Sequence, residues 1–150
     1  MTDRIEKTVD LEAPVARVWK ALTDHNEFGT WFRVKLDAPL VPGRVSCGHK
    51  TSPGLEHVKW EAMVQTIEPE RRFSFTWHPF ATEPGTDYSG QTSNLVEFTL
   101  EAIPTGTRLR VVESGFDKLP PSGRDATFQR HGDGWNVQMQ NITQHLEQGA

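Results

Sequence analysis

The 150 residues predict an α+β domain, a curved antiparallel β-sheet wrapped around a long C-terminal helix, with two short helices after the first strand. Three observations lead there. Most segments between residues 4 and 111 alternate apolar and polar side chains with the period of two that a half-buried strand requires. These segments follow one another rather than alternating with helices, as antiparallel sheets do. From residue 122 onward the period changes to that of a helix.

Residues 4–11 place Ile5, Lys7, Val9 and Leu11 on one face and Arg4, Glu6, Thr8 and Asp10 on the other, which predicts the first strand. Pro14 suits a first helical position, and Val15, Val18, Trp19 and Leu22 share one helical face, so a short helix is predicted over 14–22. Asp24 and Glu27 have the spacing of a capping box and Gly29 can end a turn, which predicts a second short helix over 24–29. Trp31 and Phe32 then read as the opening of a strand. A turn-rich stretch, 37–43, precedes a weaker strand at Val45 and Cys47.

Two hairpins follow. Val58, Trp60, Ala62 and Val64 pair with Phe73, Phe75 and Trp77 across Glu68-Pro69-Glu70; Val96, Phe98, Leu100 and Ala102 pair with Leu109 and Val111 across Pro104-Thr105-Gly106. Between them residues 78–94 have no period and many turn formers, and read as a loop at the rim of the site. In the last segment Ser122 and Asp125 mark a helix start. Phe128, His131, Trp135, Met139, Ile142 and Leu146 lie in a narrow wedge at about 100° per residue. Gly132 and Gly134 inside it suggest a kink or a close backbone approach.

The bulk properties exclude several classes. The length suits one domain, residues 1–150. A net charge of −4 argues against a nucleic-acid partner. No stretch is long and apolar enough for a membrane span or an export signal, so a cytoplasmic location with no membrane partner is expected. The one cysteine, Cys47, excludes an internal disulfide and reads as a small buried hydrophobe. His25, His49, His57 and His145 lack metal-ligand spacing, and neither G-x-S-x-G nor phosphate- or dinucleotide-binding glycine patterns occur; no metal and no cofactor are expected.

Local motifs sharpen the fold. Ala13-Pro14-Val15 leading to Val18-Trp19, then Leu22-Thr23-Asp24, Trp31-Phe32, Gly106-Thr107-Arg108-Leu109, Glu113-Ser114-Gly115-Phe116 and Gly134-Trp135 together resemble the activator of Hsp90 ATPase homologues, in the START-like (SRPBCC) superfamily. The resemblance spans nearly the whole chain and implies the helix-grip fold with a cavity between sheet and C-terminal helix. Members of that superfamily bind lipids, steroids or polyketides, and some are cyclases or hydrolases. The activator itself carries a further N-terminal domain for which 150 residues leave no room, so co-chaperone activity is not expected. Fold alone does not assign a role.

The expected function is binding of a small apolar molecule. Trp31, Trp60, Phe75, Trp77, Phe98, Phe128, Trp135 and Met139 are the candidate walls, and Phe73 shares their face; ordinary core packing is the competing explanation for these rings. Glu113 keeps the inward register of Leu109 and Val111. It is the candidate polar anchor or acid/base group, unless a bulge near Gly115 turns it to solvent. Arg124 is a candidate ion-pair partner for it. His131 projects with Phe128 and Trp135 and is the second catalytic candidate, or a satisfied core histidine; His78 faces away at the rim. The alternatives are a cyclase- or hydrolase-type enzyme using Glu113, with or without His131, and a domain that binds a protein partner through an exposed patch.

Overall fold

Alternation becomes a sheet of seven antiparallel strands in the order β1-β7-β6-β5-β4-β3-β2. The computed structural model describes residues 4–78, 93–119, 121 and 123–148. Along these residues run β1 (Arg4–Leu11), α1 (Val15–Thr23), α2 (His25–Phe32), β2 (Val34–Leu36), β3 (Val45–Lys50), β4 (Lys59–Glu68), β5 (Arg72–Trp77), β6 (Asn94–Ile103), β7 (Gly106–Ser114), a 3₁₀ turn (Phe116–Lys118) and α3 (Arg124–Gln148). Most of the expected rim loop, and Ser122 at the expected helix start, lie outside the described residues.

The first strand pairs with the last, Ile5 opposite Glu113 and Leu11 opposite Thr107, so the chain's opening closes one side of the sheet. In the second hairpin Phe98 faces Val111 and Leu100 faces Leu109, the pairing that the alternation predicts. Register shifts between Val64 and Thr66, an irregularity of the kind that bends a strand and deepens its twist. The inward faces of β4 to β7 supply Trp60, Ala62, Val64, Phe73, Phe75, Val96, Phe98, Leu109 and Val111 to a core completed by α1, α2 and α3.

The helices after β1 depart from expectation. The Asp24 carboxylate caps α2 by accepting the N–H groups of Asn26 and Glu27 at 3.0 and 3.1 Å. Glu27 does not complete a capping box. Its carboxylate instead takes Arg17 at 2.8 Å and His145 at 2.9 Å, tying α1, α2 and α3 together. Nor does Gly29 end the helix: α2 runs on through Trp31 and Phe32, which are its last turn and not a strand. Phe28, Trp31 and Phe32 have the i, i+3, i+4 spacing of one helical face and all three are buried. Gly29 serves contact, since a Cβ there would lie 2.4 Å from the Val34 carbonyl oxygen. The strand expected to open at Trp31 begins only after this helix, as the short β2, Val34–Leu36. Cys47 is half-buried on β3, less enclosed than expected.

α3 runs unbroken for 25 residues, burying Trp135, Met139, Ile142 and Leu146. It packs against β1 and α2. Its two glycines mark no break. A Cβ on Gly132 would touch only Ile5 Cδ1 at 3.9 Å, and one on Gly134 would meet nothing within 4 Å. Gly134→Ala is therefore expected to stabilise the protein by up to about 1 kcal/mol, raising the melting temperature by about 2–4 °C. A thermal melt checks this; a lower melting point would mean that the helix needs glycine there.

Candidate functional site

Strand parity carries a carboxylate into the core. Leu109, Val111 and Glu113 alternate inward along β7, and Glu113 is fully buried. An unpaired carboxylate in such a place would cost several kcal/mol or take up a proton. Here it is met by four donors. Trp135 Nε1–H donates to Oε1 at 2.9 Å; Trp77 Nε1–H and Asn94 Nδ2–H donate to Oε2 at 2.9 and 3.0 Å. His131 Nδ1 lies 2.7 Å from Oε1 and 2.9 Å from Oε2. Burial opposes ionisation, but the hydrogen bond from His131, the attraction of that ring and the two indole N–H groups outweigh it. The carboxyl is held below its ordinary range.

The donors come from three elements, β5, β6 and α3. Trp77 and Asn94 face each other across β5 and β6, and Glu113 stands opposite Val96, so two neighbouring strands converge on the carboxylate. His131 and Trp135 are one helical turn apart on α3 and close the other side. Gly115, with φ of 108°, turns the chain away immediately afterwards, and a Cβ there would come within 2.9 Å of Asn94 Oδ1. The glycine thus redirects the strand end without releasing Glu113 to solvent. Arg124 is not the partner of this carboxylate; its guanidinium donates to the Leu119 carbonyl at 3.1 and 2.6 Å.

Beside the cluster lies an open pocket of about 330 Å³. Phe32 from α2, Trp60 from β4, Trp77 from β5 and Trp135 from α3 form its apolar side. Their rings pack at centroid distances of 6.0 Å for Phe32–Trp60 and Phe32–Trp135, and Trp77 stacks on Trp135 at 5.8 Å. Of the residues anticipated from the sequence, Trp60, Trp77, His131 and Trp135 line this space. Trp31, Phe75 and Phe98 lie in the core behind it. The Trp31 indole is satisfied internally by the Ala21 carbonyl at 2.8 Å. Phe128 packs edge-on against Phe116, and Met139 lines a separate groove between β1 and α3. His78 is half-buried where β5 ends.

Sequence reasoning missed Phe32, Asn94 and Gln138. Phe32 reads in the sequence as part of a strand, and the structure makes it the last residue of α2. Asn94 shares the inward parity of Val96 and Phe98, a signal present in the sequence, but it falls at the end of the stretch 78–94 that reads as a loop, whereas β6 begins with it. Gln138 lines the pocket and bonds the Phe32 carbonyl at 3.1 Å.

Polar groups on two of the lining residues bear on chemistry. Because an ionised carboxylate only accepts, the proton on the near side of His131 sits on Nδ1, which orients the ring and leaves Nε2 as the remaining functional atom. The second is the Trp60 indole N–H, buried and without a hydrogen-bond partner among the described residues. Among those residues no group of three His, Cys, Asp or Glu side chains could hold a metal ion, and no helix is long and apolar enough to cross a membrane.

Solved structures share this architecture. A protein from Mesorhizobium loti is 24% identical with a TM-score of 0.76, the match covering 98% of each chain. One from Nitrosomonas europaea is 18% identical with a TM-score of 0.75, over 98% of this chain and 96% of its own. DynU16, from the dynemicin biosynthetic locus, is 25% identical with a TM-score of 0.76, over 99% of this chain and 49% of its own. No curated protein matches the sequence significantly. The model of the family described as Activator of Hsp90 ATPase homolog 1-like protein matches residues 12–147. With that match spanning all but the ends, and with the helix-grip architecture in place, the chain belongs to the Activator of Hsp90 ATPase homolog 1-like protein family.

Proposed function

We propose that the protein binds a small, largely apolar molecule in the pocket between α3, α2 and the ends of β3 to β5. One observation carries this reading: an open, aromatic-sided pocket of about 330 Å³ is lined by Trp60, whose buried indole N–H has no partner among the described residues. Buried donors in folded proteins are nearly always satisfied, and a ligand acceptor would satisfy this one. The volume falls at the lower end of the usual range for small-molecule sites. Burial against the rings would supply roughly 25 cal/mol per Å² of apolar surface covered. The family's fold supports ligand binding, and DynU16 comes from a biosynthetic locus.

Native mass spectrometry of the protein isolated from its own cells, with a Nile red titration of the stripped protein, tests this. A stoichiometric apolar adduct, or saturable dye uptake that Trp60→Phe alters, is the expected result. A bare protein that also ignores Nile red would sink the reading.

The Glu113–His131 contact favours a second reading, proton transfer on the bound molecule. In it His131 Nε2 is the group that gives or takes the proton. Glu113, whose oxygens are occupied by four donors, positions the ring. With a substrate in hand, His131→Gln should abolish turnover and leave binding within about threefold. Turnover that survives the change would exclude this role.

A further inference from the structure

Among the described residues the pocket's charges are of one sign. Arg33, Lys50 and Arg130 line it, and no Asp or Glu does so among the described residues, although the chain as a whole carries a net −4. Arg33 and Arg130 are exposed and Lys50 is half-buried, which places the cations toward solvent, while Trp60 and Trp135 are buried. Leu55 and Val137, two of the larger exposed apolar side chains, line the same opening. Neither Arg33 nor Lys50 forms an ion pair among the described residues, whereas Arg72, Arg108 and Arg110 elsewhere on the surface are all paired with carboxylates.

Arg33 adds an independent observation. It terminates α2 in the left-handed conformation, φ 69° and ψ 45°, a position where glycine carries no steric penalty and is the usual residue. The bonds that hold this turn are made by its backbone: its N–H reaches the Gly29 carbonyl at 3.0 Å, and its carbonyl accepts the Thr51 N–H at 3.0 Å. Nothing in the turn requires the guanidinium. A side chain kept at a strained backbone position beside a pocket points to a role in that pocket.

We infer that the molecule bound here has an apolar body and an anionic head group of the carboxylate class, with the head at the mouth beside Arg33 and Lys50. The inference rests on the pocket being a binding site, as proposed above. Glu113 sets the polarity. Its carboxylate lies behind the Trp77 and Trp135 rings to which it is bonded, so a negative head is disfavoured at the inner end and favoured at the mouth.

Matched probes separate the head from the body. Calorimetric titrations with decanoate against decanol, and with 2-naphthoate against 2-naphthol, are run at low salt on the wild type, Arg33→Gly and Lys50→Met. At least one acid is expected to bind about tenfold more tightly than its alcohol, with the margin shrinking by about threefold in each variant. The margin should also narrow as salt is raised, and alcohol binding should stay unchanged. Arg33→Gly retains the fold because it relieves the left-handed position. Equal affinity for acid and alcohol, or a margin that both variants leave intact, would overturn the anionic head while leaving the binding site standing. If Nile red binds but neither acid does, the head-group inference alone falls; if none of the probes and no dye binds, the pocket reading falls with it.

Discussion

Glu113→Gln should lower stability by about 3–5 kcal/mol, which for a chain of this size corresponds to a fall in melting temperature of about 6–20 °C. The cause is not that the native carboxylate adds much by itself, since a buried charge repays most of its desolvation only through its partners. It is that four donors converge on two oxygens. An amide keeps one oxygen and turns an NH₂ toward either the Trp77–Asn94 side or the Trp135–His131 side, so donors face a donor in a closed space. Urea titration measures the change, and an unaltered midpoint would show that the cluster is not a structural node. A pH series gives the same cluster a second readout. The folded carboxyl lies below its ordinary range, so its contribution is present above the unfolded carboxylate value, near pH 4.3, and is lost as the pH falls through the lower folded value. The gap between wild type and Glu113→Gln should therefore be widest near neutrality and close below about pH 4.

Trp135→Ala is expected to cost a comparable amount, about 3–5 kcal/mol, and to abolish ligand uptake in whatever fraction still folds. Trp135 is 3% exposed, stacks on Trp77 at 5.8 Å and meets Phe32 and Phe98 edge-on at 6.0 and 5.8 Å. Its truncation opens the core into the pocket and strips one donor from Glu113. Trp135→Phe separates the two losses. It keeps most of the ring but not the N–H, and should cost about 1–3 kcal/mol while retaining Nile red uptake. A Trp135→Ala protein within about 1 kcal/mol of the wild type would mean that the ring sits loosely, contrary to its burial.

These two residues also show how far the chain can be read without coordinates. Glu113 was legible as an inward acid, because side chains on β7 must alternate and Leu109 and Val111 set the register. Trp135 and His131 were legible on one face of α3 from helical spacing. Their meeting was not. The distance between a strand and a helix packed across it depends on sheet curvature and on where α3 lies, and no local pattern encodes either. The same limit explains Arg124, whose sequence position allowed a pairing with Glu113 but whose guanidinium closes on the Leu119 carbonyl only five residues back.

The α2 boundary fell to a different cause. Gly29 is a helix terminator by propensity, yet Phe28, Trp31 and Phe32 bury three rings if the helix continues, and that burial outweighs the roughly 1 kcal/mol that glycine costs in a helix. Moving Phe32 from strand to helix brings it to the pocket and puts Arg33 in the left-handed turn at its edge.

From its sequence alone, then, this protein determined the order of its strands and helices, the inward faces of β1 and β4 to β7, the amphipathic run of α3 and the family to which it belongs. The elements and their faces follow from periodicity and short-range chemistry, and the family from the resemblance that the local motifs carry. Only the tertiary structure decided that a buried carboxylate is shared by two indoles, an amide and an imidazole, that the Trp60 donor is left without a partner beside an open space, and that cations far apart in the chain rim that space. Those are facts of convergence between elements separated by up to a hundred residues, set by how the curved sheet closes on its helix and not by the local pattern of any one of them.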